Sequence, residues 1–220
     1  MTTLTTIVFV YTENTINNYN LSKSFFEKIK IIDVIGKLAT ADKNVAMCRN
    51  EALRECKTDT IVFMPLNYLF HNALDIAVSL FSYNSHFEPL AGCIGVLNQY
   101  DTPFHSYLKN LSDEMFEVNY NDSKNLYFMY MAQTKRVLEL GGFEEDNLLA
   151  PHIDQLLERK MQVKGFVNFF LPFNYAYTYK LSNNELMPRA TKESVTAFNN
   201  LSNEYAKGSP METEDINDIM

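Results

Sequence analysis

The 220-residue sequence contains little of what marks several common classes of protein. Its length excludes a disulfide-stapled miniprotein, and its three cysteines, odd in number and without a Cys-x-x-Cys pair that could clip a metal, favour buried free thiols. Seven glycines and seven prolines exclude a collagen-like or low-complexity chain. No apolar run reaches the ~18 residues of a membrane-spanning helix. No basic residue precedes the first apolar run, so no secretory signal is predicted and a cytoplasmic location is expected.

The sequence also has no excess of basic residues. It carries 19 basic and 27 acidic residues, a net charge of −8, whereas nucleic-acid binding normally leaves a basic footprint. Nucleic acid is therefore expected only as an acceptor substrate. Four of the acids lie in the last ten residues. We predict one domain over residues 1–207, followed by an acidic, disordered tail over 208–220.

Strand-like and helix-like segments alternate along the first part of the chain. Buried strands are predicted over 5–12, 30–35 and 60–64, with Gly36 ending the second strand. Helices are predicted over 21–30, with Leu21 on its buried face, and over 44–56 and 72–82. This alternation predicts an α/β fold with a mostly parallel central sheet flanked by helices. Further strands are predicted over 91–97, 125–133, 166–173 and 175–179, and further helices over 134–140, 151–163 and 191–207.

Arg49 has an unusual position on the predicted helix over 44–56. The apolar stripe of this helix consists of Val45, Cys48, Ala52 and Cys56. Arg49 falls within the stripe, where a guanidinium needs an anion because an unpaired buried charge is costly. Two kinds of anion are open at this point. One is an internal partner such as Asp33 or Asp59, and the other is a phosphate bound at the open end of the sheet.

Four segments, in matching order and spacing, resemble the nucleotide-sugar half of family-2 type glycosyltransferases. They are IVFVYTEN, KNVAMCRNEALRECKTDTIVFMPLNYLF, LYFMYMAQTKRVLELGGFEED and HIDQLLERKMQVKG. In the same order, they are similar to four patterns of the family. The first two are I-I-x-P-x-Y-N-E, and A-R-N followed by a strand that ends in D-x-D. The last two are G-G-F-D-E and E-D-x-x-L-x-x-R. The G-G-F segment is the most specific. The resemblance covers about residues 5–170 and implies a GT-A fold, a Rossmann-like single sandwich.

The resemblance implies a transferase that moves a sugar from a nucleotide diphosphate-sugar to a hydroxyl acceptor. By this resemblance Tyr11, Thr12 and Glu13 border the nucleobase and ribose. Asp33, predicted to end the second strand, matches the carboxylate that contacts the base. Arg49 faces the nucleotide.

Asp154 matches the second acid of the family's E-D pair. In inverting members this acid is the general base that removes the acceptor hydroxyl's proton. The alternative for Asp154 is a carboxylate that is favoured at a helix N-terminus only by the helix dipole. The resemblance leaves the acceptor undetermined, with a glycan and a modified DNA base of phage type as the two options. The second option is suggested by a composition of 23 asparagines and five arginines, which is common in AT-rich genomes.

The sequence departs from the family at the metal motif. Pro65-Leu66-Asn67 occupies the place of D-x-D, whose carboxylates hold Mg²⁺ or Mn²⁺. Asn67 offers only a neutral amide oxygen to the nucleotide-sugar, so no metal ligand is assigned, and a Mg²⁺ or Mn²⁺ cofactor stays open. The acid before Asp154 is also missing, being Ile153.

Two functions follow from these departures. One is a transferase without a tightly held metal, and the other is a non-catalytic GT-A-like binding or assembly module. A nucleotidyltransferase is disfavoured, because Tyr11-Thr12-Glu13-Asn14 stands where a glycine-rich phosphate loop is expected.

Overall fold

The computed structural model describes residues 5–29, 32–64, 66, 68–70, 94–95, 97–98, 116–117, 128–166, 169–170, 175–178 and 190–207. The predicted helix over 72–82 and the predicted tail over 208–220 lie outside these residues. Within the described part of the chain, no helix is long and apolar enough to cross a membrane.

Strands and helices alternate through the first half of the chain, as the sequence predicts. The elements are β1 (Thr5–Tyr11), a 3-10 turn (Glu13–Thr15), α1 (Ile16–Phe26), β2 (Ile32–Leu38), α2 (Val45–Glu55), β3 (Thr60–Phe63) and β4 (Tyr68–Phe70). The second half begins with the short strands β5 (Ile94–Gly95), β6 (Leu97–Asn98) and β7 (Phe116–Glu117). It continues with β8 (Phe128–Gln133), α3 (Thr134–Glu139), a 3-10 segment (Asn147–His152), α4 (Ile153–Val163), β9 (Phe169–Phe170), β10 (Tyr175–Thr178) and α5 (Lys192–Lys207).

The central sheet has the strand order β2-β1-β3-β8-β5. β1 pairs in parallel with β2 and β3, whereas β8 pairs antiparallel with β3 and with β5. Four of the five strands therefore run in one direction, which confirms the predicted mostly parallel sheet of an α/β fold. Two smaller sheets, β4-β10-β6 and β7-β9, complete the described strands.

Side chains alternate between the two faces of the sheet because successive strand residues point to opposite sides. Val8 and Val10 of β1 face a core that α2, α3 and α4 complete with Ala46, Leu53, Val137, Ile153 and Leu157. On the other face, Phe9 packs against Phe26 of α1, with ring centroids 5.7 Å apart. Helices therefore cover both faces, which confirms the flanking-helix prediction and the predicted burial of β1 and β3. The predicted burial of the second strand was wrong, because β2 lies at the edge of the sheet and only Ile32 in it is buried.

The first helix begins earlier than the sequence pattern predicts. α1 starts at Ile16, in an asparagine-rich segment before the predicted start at Leu21, and ends at Phe26 rather than at Lys30. The side-chain hydroxyl of Thr15 accepts the backbone N–H of Thr12 at 2.8 Å, which turns the chain directly into the helix. Leu21, predicted on the buried face, is 56% exposed.

Gly36 does not end the second strand, so that prediction was wrong. β2 continues through Gly36 to Leu38. The ring of Tyr19 from α1 lies where a Cβ on residue 36 would be. Glycine is needed here for this close approach and not for a turn.

The helix predicted over 151–163 begins later than predicted, and Pro151 is not part of it. This proline lies inside the 3-10 segment Asn147–His152, and the α-helix begins two residues later, at Ile153.

Candidate functional site

A cleft of about 750 Å³ lies beyond the carboxyl ends of β1 and β2. In open α/β sheets this edge is where ligands bind, because the strand-to-helix loops there diverge to opposite faces. The lining comes from the segments after β1 and β2, the start of α2 and the 3-10 segment. It consists of Thr12, Glu13, Asn14, Ala39, Thr40, Ala41, Lys43, Asn44, Val45, Asn147 and Ala150.

Two of the predicted nucleotide-binding residues, Thr12 and Glu13, line this cleft. Tyr11 ends β1 next to them, and its ring stacks on Tyr19 with centroids 4.3 Å apart and an interplanar angle of 6°. Asn67 lies outside the described residues.

Asp33 lies far from the cleft. It is the second residue of β2 and pairs with Thr6, whereas Leu38, beside the cleft, pairs with Tyr11. Five residues of parallel strand separate Asp33 from Leu38, or roughly 16 Å at about 3.3 Å per residue. The prediction that Asp33 ends the second strand was wrong, because the strand continues past Gly36.

The start of α2 supplies cleft residues that the sequence analysis missed. Asn44 is the N-cap of α2, and its Oδ1 accepts the backbone N–H of Met47 at 2.9 Å. Its Nδ2 donates to the carbonyl of Glu145 at 2.7 Å and to Oδ1 of Asn147 at 2.8 Å. One asparagine thus joins two walls of the cleft. The only available sequence signal was its cap position before an apolar-periodic segment.

Arg49 and Asp154, which the sequence analysis treated separately, bind each other. The guanidinium Nη1 of Arg49 donates to Oδ1 of Asp154 in a short ion pair. The side chains are 10% and 24% exposed. The guanidinium also lies 5.5 Å from the ring centroid of Phe63 and 5.1 Å from that of Phe143.

Of the two anions left open for Arg49, the structure shows the internal kind, but the partner is neither Asp33 nor Asp59. Neither Arg49 nor Asp154 is part of the cleft lining, but Arg49 is only one helical turn beyond Val45, which is.

The neighbouring Asn50 fixes the Gly-Gly-Phe segment. Its Nδ2 donates to the carbonyl of Phe143 at 2.9 Å, and its Oδ1 accepts the Phe143 backbone N–H at 2.8 Å. A Cβ on Gly142 would collide with that same Oδ1, and Gly142 has a φ of +74°. Arg49 and Asn50 therefore both contact Phe143 of the Gly-Gly-Phe segment, which is distant in sequence. These contacts position the chain that leads to Asp154.

We expect Gly142→Ala to lower the free energy of unfolding by about 3 kcal/mol and Gly141→Ala by about 1 kcal/mol. Both glycines have positive φ, 74° and 76°, so both variants share the backbone strain. Only Gly142 meets Asn50, since nothing lies within 4 Å of a Cβ on Gly141. Urea denaturation measures the difference, and equal costs for the two variants would contradict the Asn50 contact as its cause.

A second network, of hydrogen bonds and one ion pair, joins α4 to the Gly-Gly-Phe segment and to α5. Lys160 Nζ lies 2.5 Å from Glu144 Oε1 and donates to the carbonyl of Gly142 at 3.0 Å. Tyr205 of α5 donates its hydroxyl proton to Glu144. Burial opposes ionisation of Glu144, but the Lys160 and Tyr205 hydrogen bonds outweigh it, so the pKa of Glu144 is lowered. Burial raises the pKa of Tyr205, and the bond to Glu144 raises it further.

His152 has a packing role in the described structure. Its Nε2 lies 3.2 Å from Ser194 Oγ and its Nδ1 lies 3.0 Å from Gln155 Oε1. Its ring packs on Phe198 with centroids 4.9 Å apart. His152 thus joins α5 to the start of α4, next to Asp154.

The residues present do not fit the divalent metal of a D-x-D motif. Pro65 has no side-chain ligand, and Leu66 is 2% exposed, with its carbonyl accepting the Ser22 hydroxyl at 3.0 Å. Among the described residues, no group of three or more His, Cys, Asp or Glu side chains is arranged to hold a metal.

Comparison with known proteins identifies the fold. Neither a protein-family model nor a curated protein sequence matches this chain. Among solved structures, residues 1–349 of TarS from S. aureus in complex with UDP-GlcNAc superpose with a TM-score of 0.64 at 15% identity. The match covers 94% of this chain and 67% of that one. The chain has a GT-A fold.

Two further GT-A structures agree. GalNAc-T7 with UDP, GalNAc and Mn²⁺ matches with a TM-score of 0.55 at 13% identity, over 89% of this chain and 47% of that one. The mannosyltransferase PcManGT from Pyrobaculum calidifontis, in complex with GDP-Man and Mn²⁺, matches with a TM-score of 0.54 at 13% identity. That match covers 83% of this chain and 58% of the other. The present chain therefore spans between about half and two thirds of these GT-A proteins.

Proposed function

We propose that the protein is a glycosyltransferase that moves a sugar from a nucleoside diphosphate-sugar to a hydroxyl acceptor. The observation that carries this proposal is the cleft at the carboxyl edge of a GT-A sheet, with Thr12 and Glu13 in its lining. The structural neighbours were solved with UDP-GlcNAc, with UDP and GalNAc, or with GDP-Man. These molecules supply the first donors to test.

The acid beside the nucleobase is proposed to be Asp42 rather than Asp33. Asp42 is exposed and is not itself in the cleft lining, but it lies in the turn closed by the Thr40–Lys43 bridge directly after β2, between the lining residues Ala41 and Lys43. A carboxylate here accepts hydrogen bonds from the N–H groups of a base. Tyr11 and Asn67 stay proposed contacts of the nucleotide-sugar.

Asp154 is proposed to be the general base. Its Oδ1 is held by Arg49, so Oδ2 is the oxygen that takes the acceptor's proton. The acceptor oxygen forms a bond to the anomeric carbon, and the bond from that carbon to the phosphate oxygen breaks. The nucleoside diphosphate leaves with the electron pair. The net charge of −8 favours a glycan hydroxyl over a DNA base as the acceptor.

The test of this proposal is a calorimetric titration with UDP, GDP and their sugar conjugates, each with and without Mn²⁺. We expect one nucleotide to bind, with the affinity of Asp42→Asn about 10-fold lower, as for a lost hydrogen bond to a charged group. Asp33→Asn is the matched control, because it removes the same charge at the other end of β2, and it is expected to bind like the unaltered protein. No binding to any nucleotide would overturn the transferase proposal. The opposite order of the two variants would return the base contact to Asp33.

A non-catalytic binding module is the second candidate function. The observation that favours it is the absence of fitting metal ligands at Pro65-Leu66-Asn67, together with the engagement of Asp154 by Arg49. Tight donor binding without release of nucleoside diphosphate, with any acceptor or with water, would select this module over the enzyme.

A further inference from the structure

Lys43 is the one basic side chain among the described residues that line the cleft. Its side chain is 33% exposed. Glu13 contributes a carboxylate to the same lining. A nucleoside diphosphate is itself an anion. A cleft that binds it therefore needs a cation to offset the negative charge of the diphosphate and that of Glu13. The poor fit of the D-x-D position to a metal makes this need greater.

In the structure, Lys43 is held by an acid outside the cleft lining. Its Nζ donates to Oε2 of Glu51 on α2 in a short ion pair. Glu51 has a second cation, because Nζ of Lys37 lies 3.4 Å from the same oxygen. Lys37 in turn lies 2.6 Å from Oε1 of Glu55. The four side chains form a chain of alternating charge along the edge of α2.

This arrangement lets Lys43 exchange partners at little cost. When Lys43 leaves, Glu51 keeps a cation, because Lys37 stays near it while also holding Glu55. Glu51 is 37% exposed, and an exposed ion pair contributes little to stability. Lysine also has a flexible stem that allows its ammonium group to turn toward a new anion.

We infer that Lys43 binds a phosphate of the nucleoside diphosphate, releasing Glu51 to Lys37 as the ligand enters. The inference rests on the proposed nucleotide site and adds the residue that recognises the charge of the ligand. Glu51 then acts as an internal competitor that sets the affinity for the phosphate.

The experiment compares a nucleoside with its diphosphate by calorimetry, using uridine and UDP or guanosine and GDP, whichever pair binds. Lys43→Gln is expected to weaken diphosphate binding about 10-fold, the loss of one charge-assisted contact, and to leave nucleoside binding unchanged. Lys43→Arg, which keeps the charge, is expected to retain most of the affinity. Lys57→Gln is the charge control, since Lys57 is exposed and lies just past the other end of α2.

Glu51→Gln tests the exchange itself. Removing the competitor is expected to tighten diphosphate binding about 3-fold, and this gain is expected to vanish in the Lys43→Gln, Glu51→Gln double variant. Equal diphosphate affinity in Lys43→Gln and the unaltered protein would overturn the inference and leave the proposed nucleotide site standing. Failure of the unaltered protein to bind either nucleoside or diphosphate would overturn both. Melting temperatures of the variants close to that of the unaltered protein exclude unfolding as the cause.

Discussion

Arg49→Ala is expected to lower the free energy of unfolding by about 3 kcal/mol, the cost of breaking a largely buried ion pair from one side. The variant leaves the Asp154 carboxylate, 24% exposed, without its cation. It also removes the guanidinium from the rings of Phe63 and Phe143. The sequence resemblance alone implies the opposite result, with nucleotide binding lost and stability kept, because it places Arg49 on the nucleotide.

Urea denaturation of Arg49→Ala and Arg54→Ala separates these two expectations. Arg54 is an exposed arginine on the same helix, in its last turn, so its removal is expected to cost less than about 1 kcal/mol. The double variant Arg49→Met, Asp154→Leu is expected to be more stable than the sum of its single changes, because neither charge is then left alone. An Arg49→Ala protein of unaltered stability that no longer binds nucleotide would show that Arg49 contacts the ligand.

The prediction that Arg49 is buried could be made from one helix, but its partner could not. The 3.6-residue period of the helix shows which face Arg49 occupies. Asp154 follows 105 residues later in the chain. Only the packing of α4 beside α2 brings the two together, and no local pattern encodes that distance.

The errors at β2 have a different cause. A glycine after an apolar run indicates either a turn or the close approach of another segment of the chain. The two cannot be distinguished until that segment is known. Here the residue that approaches Gly36 is Tyr19 of α1. The start of this helix was not predicted because its first turns are rich in asparagine. The strand therefore continues to Leu38, and Asp33 lies at the end of β2 that is far from the cleft.

The alternation of strands and helices was predictable from local periodicity, because it depends on burial within each segment. Lys43 and Asn44 belong to a loop and a cap. Their importance appears only once the ends of β1 and β2 lie side by side.

Asp154→Asn is expected to slow sugar transfer about 1000-fold, within the range for loss of a general base. The amide oxygen still accepts a hydrogen bond from Arg49, so the fold is kept better than in Arg49→Ala. In the proposed reaction Asp154 contacts the acceptor and not the donor, and donor affinity is therefore expected to change less than about 2-fold. Release of nucleoside diphosphate, with a hydroxyl acceptor or with water, measures the rate, and calorimetry measures the donor affinity.

Asp146→Asn provides the matched control, because it removes a carboxylate eight residues upstream on the same segment. Asp146 accepts the Leu148 backbone N–H at 2.8 Å as a helix cap, a bond that asparagine also makes, so transfer is expected to be unchanged. A rate in Asp154→Asn close to that of the unaltered protein would show that the Arg49–Asp154 pair is structural. A slow rate together with intact donor binding would support transfer of the acceptor's proton to Asp154, because asparagine keeps the shape of the side chain and lacks its charge and basicity.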